Sequence, residues 1–514
     1  VLRRFSQVLI PSPSDLVFLA TMFLVLWLGP FISNRDGDLG WHIAIGRVII
    51  EQGAIPTTDL FSFSMLGEPF VPHEWLSEVF LAAAYQLGGF TGVALLTAVV
   101  IATTFAGLTA VMLQRGVHLL IILPLIGLGV LASIAHWATR PHVFTFLCTF
   151  IWATALEAHR RGQLTWRGLL ALLPLMLLWV NLHGAFIIGD ALIATYIAGA
   201  AGMWLISGPS QRPTHSQQIR DLVILLVACI AISGINPSGF GLMGNNAGFF
   251  EQSSLLKWTP EWQSPDFHNP LFYPLLLILS IAIVVSVRRE LTPILLLASW
   301  AAFSLYSFRN LVQFVIICLP FIAEAMQALC IEYADRIRKQ PDLAAWLRPA
   351  LERIEQRVTR IHSSIPKNVG GFSSLLGAII LSIFLLQGNT IDLWRRGYGF
   401  TAQQFPIKAI EQLQPFPPGQ RVFNDAVWGG YLSYCCWPKV LVFFDGRIDF
   451  YGSDFFQDYL TIQEAQPGWR ELLDQHQIDW VIVFPHRPLV QWLQQDPAWE
   501  QRYLDEQTVV FVRR

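Results

Sequence analysis

Residues 91–113 read TGVALLTAVVIATTFAGLTAVML, without a charged side chain or a proline. As an α-helix rising about 1.5 Å per residue, this stretch is long enough to cross the roughly 30 Å hydrocarbon core of a bilayer. Working outward from it, ten further apolar runs lie between charged or Gly/Pro breaks, at roughly 15–33, 117–138, 143–158, 168–181, 185–206, 221–235, 270–287, 291–307, 311–330 and 370–388. The expectation is about eleven transmembrane helices. Arg3 and Arg4 precede the first run and no small-residue cleavage site follows it, so it reads as a retained anchor.

Composition agrees. Of 514 residues, 54% are hydrophobic and only 14% charged, with 19 Trp and 36 Phe. Soluble chains carry about 25% charged residues, so a soluble multi-domain enzyme and a disordered chain are both excluded. The net charge of −2 leaves no footprint for nucleic acid. Of six cysteines, Cys148, Cys229, Cys318 and Cys330 sit in or beside apolar runs and read as small hydrophobes. Cys435 and Cys436 have neither zinc spacing nor a disulfide pattern.

Basic residues test the sidedness. With the N-terminus inside, the inner segments hold 18 Lys and Arg and the outer loops before residue 389 hold five: Arg35, Arg47, Arg140, Lys257 and Arg309. Positive charge stays on the cytoplasmic side, so an odd number of spans puts the C-terminus outside. The polar stretch 331–367 has Leu347, Leu351, Ile354, Val358 and Ile361 opposite a basic face. It reads as an amphipathic helix on the cytoplasmic leaflet or as a solvated connecting helix. The division is thus a membrane domain over 1–388, with a first outer loop at 34–77, and an extracytoplasmic domain over 389–514. In the latter, strand-like runs 421–423, 440–444, 480–484 and 509–512 alternate with helical stretches near 404–414, 468–476 and 488–494, the pattern of a small α/β domain with a mostly parallel sheet.

The polar residues of the outer loops carry the chemistry. The first loop has Asp36-Gly-Asp38-Leu-Gly-Trp41-His42, Asp59 and His73-Glu74-Trp75; later turns have Arg140-Pro-His142, Asn181-Leu-His183, Asn236-Pro, Glu261-Trp262 and Arg309-Asn310. Each sits at the outer end of a span, where an ionisable group is costly unless paired or facing a wet cavity. One polar cavity opening outward is therefore expected. Asp36, Asp38 and His42, completed by His73 and Glu74, form a candidate catalytic set, and Asp36 with Asp38 can hold a divalent ion such as Mg or Mn. Arg140 and Arg309 suit a lipid phosphate. Plainer readings stand beside these: a solvated loop tip for Asp36 and Asp38, lipid anchors for the arginines, helix C-caps for Asn181 and Asn236, and structural roles for His136 and His142. His73-Glu74 does not open a zinc-protease helix, because Ser77 occupies the fourth position after His73.

Taken together, the long acidic first loop, about eleven spans and the outer C-terminal domain resemble the GT-C superfamily of integral-membrane glycosyltransferases. More closely, the chain looks like a group of largely uncharacterised bacterial membrane proteins through Asp36–His42, His73–Leu76, Arg140-Pro141, Asn181–Gly184, Asn424–Tyr431 and Asp445–Arg447. It departs from that group at Gly40, where an aromatic is common. The resemblance implies transfer of a sugar from a polyprenyl-phosphate-type donor to an extracytoplasmic glycan, lipid or protein acceptor at the bacterial cytoplasmic membrane. Asp36 or Asp38 would be the catalytic carboxylate, in an inverting displacement. Arg140, His142, Asn181, His183, Arg309 and Asn310 would face the lipid phosphate. Glu261, Trp262, Asn424, Asp425, Trp428 and Tyr431 would lie on the acceptor side. The stretch 424–431 lacks the tandem Trp of the oligosaccharyltransferase acceptor motif, which leaves a peptide acceptor open. Asp445-Gly-Arg447-Ile-Asp449 reads as a strand-end loop with an Arg–Asp bridge. Two rivals are a GT-C-like subunit without catalysis and a transporter or flippase of a lipid-linked substrate. The latter would need broken helices at the midplane, whereas the polar groups here fall at span ends.

Overall fold

The computed structural model describes residues 11–32, 36–244, 259–286, 290–338, 353, 371–392 and 395–514. Most of the segment 331–367 falls outside these residues, as do Arg3, Arg4, Arg35 and Lys257. Leaving aside one-turn helices, the helical half comprises α1 Pro13–Trp27, α2 Asp38–Gln52, α3 Trp75–Gln114, α4 Leu119–Ser133, α5 His142–Arg160, α6 Leu172–Leu182, α7 Ile187–Ile206, α8 Arg212–Ser233, α9 Tyr273–Ser286, α10 Leu291–Tyr306, α11 Leu311–Arg338 and α12 Phe372–Leu386.

Every apolar run read from the sequence overlaps one of these helices. Among the described residues, five helices are able by length and composition to cross a membrane: Trp75–Gln114, Leu119–His136, Gly184–Ile206, Arg212–Ser233 and Phe308–Arg336. Five more are apolar but shorter, at 10–17 residues. The molecule is a polytopic helical membrane protein with a small C-terminal sheet domain.

Local rules explain several boundaries. Helix α1 begins at a capping box, in which the Ser12 hydroxyl accepts from the Asp15 N–H and the Asp15 carboxylate takes the Ser12 N–H, with Pro13 in the first turn. The other Asp15 oxygen accepts from the Gly371 N–H at 3.0 Å and from the Ser374 hydroxyl, tying the first apolar helix to the last. Helix α3 is broken at Gly88 and Gly89, the latter at φ +59°, so residues 75–87 form an arm distinct from the long apolar run. In the shared core, Trp137, Trp152 and Trp179 are wholly buried, and the Trp152 indole donates to the Gly189 carbonyl at 3.1 Å.

The C-terminal sheet has five strands: β1 Gln420–Asn424, β2 Val440–Val442, β3 Trp480–Val483, β4 Trp499–Leu504 and β5 Val509–Arg513. Their order is β2-β1-β3-β5-β4. Strands β2, β1 and β3 run parallel, while β3–β5 and β5–β4 pair antiparallel. The sheet is therefore mixed rather than mostly parallel. The overlooked strand is β4, WEQRYL, an edge strand whose exposed polar residues hide it from an apolar pattern. Helices α13 Ile407–Leu413, α14 Ala426–Cys436, α15 Ile448–Gln463, α16 Trp469–Gln475 and α17 Pro488–Leu493 cover it.

The first loop joins the two halves. Residues 61–63 extend the β2 edge, the Val442 N–H donating to the Phe61 carbonyl and the Phe63 N–H to the Val442 carbonyl, each at 3.1 Å. Helix α2 packs on α14 backbone to backbone. A Cβ on Gly40 would lie 2.2 Å from the Gly430 carbonyl oxygen, and one on Gly430 would lie 2.2 Å from that of Gly37. That close approach explains why this chain has glycine at position 40, and why Gly429-Gly430 stands at the start of α14. The stretch 34–77, assigned by sequence to the membrane half, thus touches both halves.

Candidate active site

A cavity of about 630 Å³ lies where the helical bundle meets the sheet domain. Its wall draws on the first loop and its helix (Asp38, His42), the start of α3 (His73, Glu74), the entries to α5 and α7 (Arg140, His142, His183), two facing turns (Glu261 and Trp262; Arg309 and Asn310), and the sheet domain (Arg447, Asp449). Residues more than 400 positions apart in sequence thus share one space.

Asp36 and Asp38 are organised by Arg140. Asp36 accepts from the Arg140 Nε and, at 2.8 Å, from Nη2, a fork-to-fork pair. It also accepts the Asp38 N–H at 3.1 Å at the start of α2. Asp38 lies 3.0 Å from Arg140 Nη2. Asp36 itself stands behind the wall as the clamp on Arg140, and Asp38 faces the cavity. The sheet domain closes tightly over Asp38: a Cβ on Gly446 would be 1.8 Å from Asp38 Oδ1. Burial pushes the Asp38 carboxyl up to about 6, against the pull of Arg140 and with help from Asp36 and Asp445.

Glu261 is the second hub. Its oxygens lie 3.8 Å from Arg140, 3.7 Å from Arg309 and 3.7 Å from His136 Nδ1. Burial opposes its charge, yet Arg309 and Arg140 outweigh it and hold the carboxyl down at about 2. The Arg309 guanidinium stacks on Trp262 at 4.8 Å. It meets no carboxylate closer than 3.7 Å among the described residues, which leaves its charge directed into the cavity. The turn is fixed by the Ser307 hydroxyl donating to the Glu261 carbonyl at 2.8 Å.

A third group adjoins these. Glu74 sits 3.2 Å from His183 Nε2 and 3.8 Å from His73 Nε2, while His42 Nδ1 lies 3.3 Å from Glu78 and 3.9 Å from Glu74. Burial disfavours a charge on His73, but the carboxylates of Glu74 and Asp449 overcome it and raise its pKa. His42 moves the other way: burial, then Arg140, keeps it neutral. His183 is oriented by Thr145, whose hydroxyl lies 2.9 Å from Nδ1 and accepts the Trp179 indole N–H at 3.0 Å.

Other residues proposed from sequence stand elsewhere. Asn181 does not line the cavity; it accepts from the Trp75 indole at 2.8 Å and donates to the carbonyls of Leu177 and Ile235, a capping arrangement. Asn424, Asp425, Trp428 and Tyr431 are not on the cavity wall either. Asn424 braces the Phe443–Phe444 backbone, Asp425 takes a fork from Arg487 at 2.9 and 2.6 Å, and the Trp428 indole donates to the Gln404 carbonyl. Tyr431 is buried in the apolar core under the sheet. These motif residues hold the sheet domain together. Asp36 and Asp38, the expected metal pair, are both engaged by Arg140.

The sequence reading passed over Glu78 and gave Arg447 and Asp449 no place at the cavity. Glu78 stands one helical turn after Glu74 at the start of α3, a spacing that puts both on one face. Arg447 and Asp449 come to the cavity only through the docking of the sheet domain, for which no local signal exists. Ser77, where a second zinc-protease histidine would stand, donates to the Leu182 carbonyl at 2.6 Å.

No protein-family model and no curated protein matches the sequence. Among solved structures, the oligosaccharyltransferase AglB from the archaeon Archaeoglobus fulgidus, in complex with an inhibitory peptide and a dolichol-phosphate, aligns with a TM-score of 0.51 at 12% identity, over 91% of this chain and 69% of that one. The Archaeoglobus fulgidus oligosaccharyltransferase in its apo form gives 0.52 at 12% identity, over 93% and 69%. ArnT from Cupriavidus metallidurans bound to undecaprenyl phosphate gives 0.47 at 13% identity, over 96% and 97%. The fold is GT-C-like.

Proposed function

We propose that the protein is a membrane glycosyltransferase that moves a sugar from a polyprenyl-phosphate-type lipid donor to an acceptor on the extracytoplasmic face of a bacterial cytoplasmic membrane, with its N-terminus inside. The observation that carries this reading is the two-faced cavity. One end is charged, with Asp38, Arg140, Glu261 and Arg309. The flank includes Ile187, Phe303 and Tyr306, apolar side chains that are 44%, 48% and 66% exposed. A lipid phosphate fits such a space with its head among the charges and its tail against the flank. The dolichol-phosphate in the archaeal enzyme of the same fold supports the donor class.

In this reading Asp38 removes the proton from the acceptor group as that group attacks the anomeric carbon. A new bond forms to that carbon, the bond to the phosphate oxygen breaks, and the lipid phosphate leaves with the bonding pair. Arg309, with Asn310 beside it, receives the leaving charge. Arg140, clamped by Asp36, fixes the direction of Asp38. His73, its pKa raised by Glu74 and Asp449, adds positive charge nearby. Glu261 and Trp262 are the acceptor-side residues that remain on the cavity wall. The helical half over 1–388 would supply the reacting groups, and 389–514 would close the cavity through Gly446, Arg447 and Asp449.

The test is turnover of a fluorescent polyprenyl-phosphate sugar by the purified protein in nanodiscs, reading transfer or slow hydrolysis. Wild type releases polyprenyl phosphate, and Asp38→Asn reduces the rate by about 10³-fold, within the range for a positioned acid–base group. Release by Asp38→Asn at the wild-type rate overturns the role of Asp38. Binding of the donor without release by wild type favours a non-catalytic subunit, and donor movement between leaflets of a vesicle without release favours a flippase.

A further inference from the structure

His42, Glu74 and Glu78 bring one donor atom each to within 4.8 Å of one another. They come from two elements that the fold holds rigidly together. His42 lies on α2, and Glu74 and Glu78 stand one turn apart at the start of α3, where Gly46 of α2 comes so close that a Cβ would lie 2.0 Å from the Glu78 carbonyl oxygen. His42 is 2% exposed and Glu78 1%. Two glutamates and an imidazole gathered out of water need a cation or a proton between them.

A second observation points to a ligand. Glu78 Oε2 is buried and has no hydrogen-bond partner among the described residues, although Oε1 lies 3.3 Å from His42 Nδ1. A buried carboxylate oxygen without a donor is costly. Lys and Arg do not reach it in the ion pairs of the described residues; Glu78 pairs only with His42.

We propose that His42, Glu74 and Glu78 bind one divalent transition-metal cation, Zn²⁺ or Mn²⁺. The donor chemistry decides the class: an imidazole nitrogen disfavours Mg²⁺ and Ca²⁺, and two carboxylates suit Zn²⁺ or Mn²⁺. Donors around a tetrahedral ion at about 2.0–2.2 Å stand about 3.4 Å apart, close to the 3.3 and 3.9 Å separations of His42 from Glu78 and Glu74. His183, 3.2 Å from the Glu74 Oε1, orients that ligand from behind. His42 and Glu74 also line the cavity, so the ion keeps an open position there for water or an anionic ligand. This places the metal away from Asp36 and Asp38. The inference does not rest on glycosyl transfer, since metal uptake is read without turnover.

The full chain, purified in detergent, stripped with a chelator and desalted, is titrated separately with ZnCl₂ and MnCl₂. Bound metal is measured by mass spectrometry. Wild type takes up one equivalent of at least one ion, and its Tm rises with it. Glu78→Gln and His42→Asn bind at least 100-fold more weakly and show no metal-dependent rise in Tm, while Asp36→Asn and Asp38→Asn retain the equivalent. The Mn²⁺-loaded wild type shows nitrogen coupling from a bound imidazole in pulsed electron paramagnetic resonance, a readout that needs no variant to fold. Absence of an equivalent of either ion in wild type overturns the proposal. So does a bound Mn²⁺ without imidazole coupling, or loss of the ion in Asp38→Asn with retention in Glu78→Gln.

Discussion

Two clusters in this molecule have the same composition, one arginine between two aspartates, and opposite settings. Asp59 and Asp445 grip Arg447, whose side chain is 3% exposed; Nη1 reaches Asp59 at 2.6 Å and Nη2 reaches Asp445 at 2.6 Å. Asp36 and Asp38 grip Arg140, whose side chain is 31% exposed toward the cavity. In the first cluster both aspartates hydrogen-bond the buried guanidinium, and Phe61, Phe70, Phe450 and Tyr451 surround it. It rivets the first loop to the sheet domain. In the second, Asp36 takes the Nε and one Nη2 donor of the arginine from behind, and Asp38, 3.0 Å from Nη2, stands at the wall of a cavity. The proposed base is thus the carboxylate that faces the cavity, a distinction that residue type alone does not reveal.

The comparison is most easily broken at Asp38. Asp38→Asn keeps the size of the side chain and removes its basicity, so transfer should fall by about 10³-fold with Tm unchanged by thermal unfolding. A large drop in Tm with residual activity would make this cluster a rivet as well. At the sealed cluster, Arg447→Met leaves two buried carboxylates without their cation, and a loss of about 3–5 kcal/mol is expected, read as a large fall in Tm of the detergent-solubilised protein. An unchanged Tm would mean that the loop is held by the β2 edge alone. Gly446→Ala brings the two clusters into conflict by pushing a methyl group onto Asp38. Activity should fall about 10–100-fold, the scale set by misplacement of a reacting group, while folding is retained. Activity at the wild-type level would show that the sheet domain yields at this point.

The smallest effect is in pH. The raised Asp38 carboxyl, near 6, must be ionised to act as a base. A carboxyl whose pKa is raised takes up its proton at higher pH than usual, so activity is full above that value and lost as pH falls through it. A drop of about tenfold between pH 7 and pH 5 is expected for one ionisation, with loss of that limb in Asp38→Asn for any residual rate. A flat profile over this range would remove Asp38 as the base.

Much of the architecture was legible because lipid imposes a simple rule: a spanning segment must be apolar along its length. Hence each apolar run carries a helix, and the scarce polar residues at the run ends mark the cavity. Asp38, His42, His73, Glu74, Arg140, His142, His183, Glu261, Trp262, Arg309 and Asn310 all line it. Legibility failed where a motif served folding. Asn424, Asp425, Trp428 and Tyr431 share the polar and aromatic character of site residues, yet a buried hydrogen bond and a bound substrate call for the same side chains. Strand β4 was hidden for a different reason, because an edge strand facing water has no apolar face to announce it.

By itself the sequence determined the class of molecule, its helices, the four strands other than β4 and the polar span ends that line the cavity, since hydrophobicity and charge act locally and are additive along the chain. Only the tertiary structure decided which carboxylate faces the cavity and which stands behind it. It set Glu78 beside His42, brought Gly446 against Asp38 and sealed Arg447 between Asp59 and Asp445. Those outcomes depend on distances of a few ångströms between segments hundreds of residues apart. Electrostatic energy in a low-dielectric interior changes steeply over such distances.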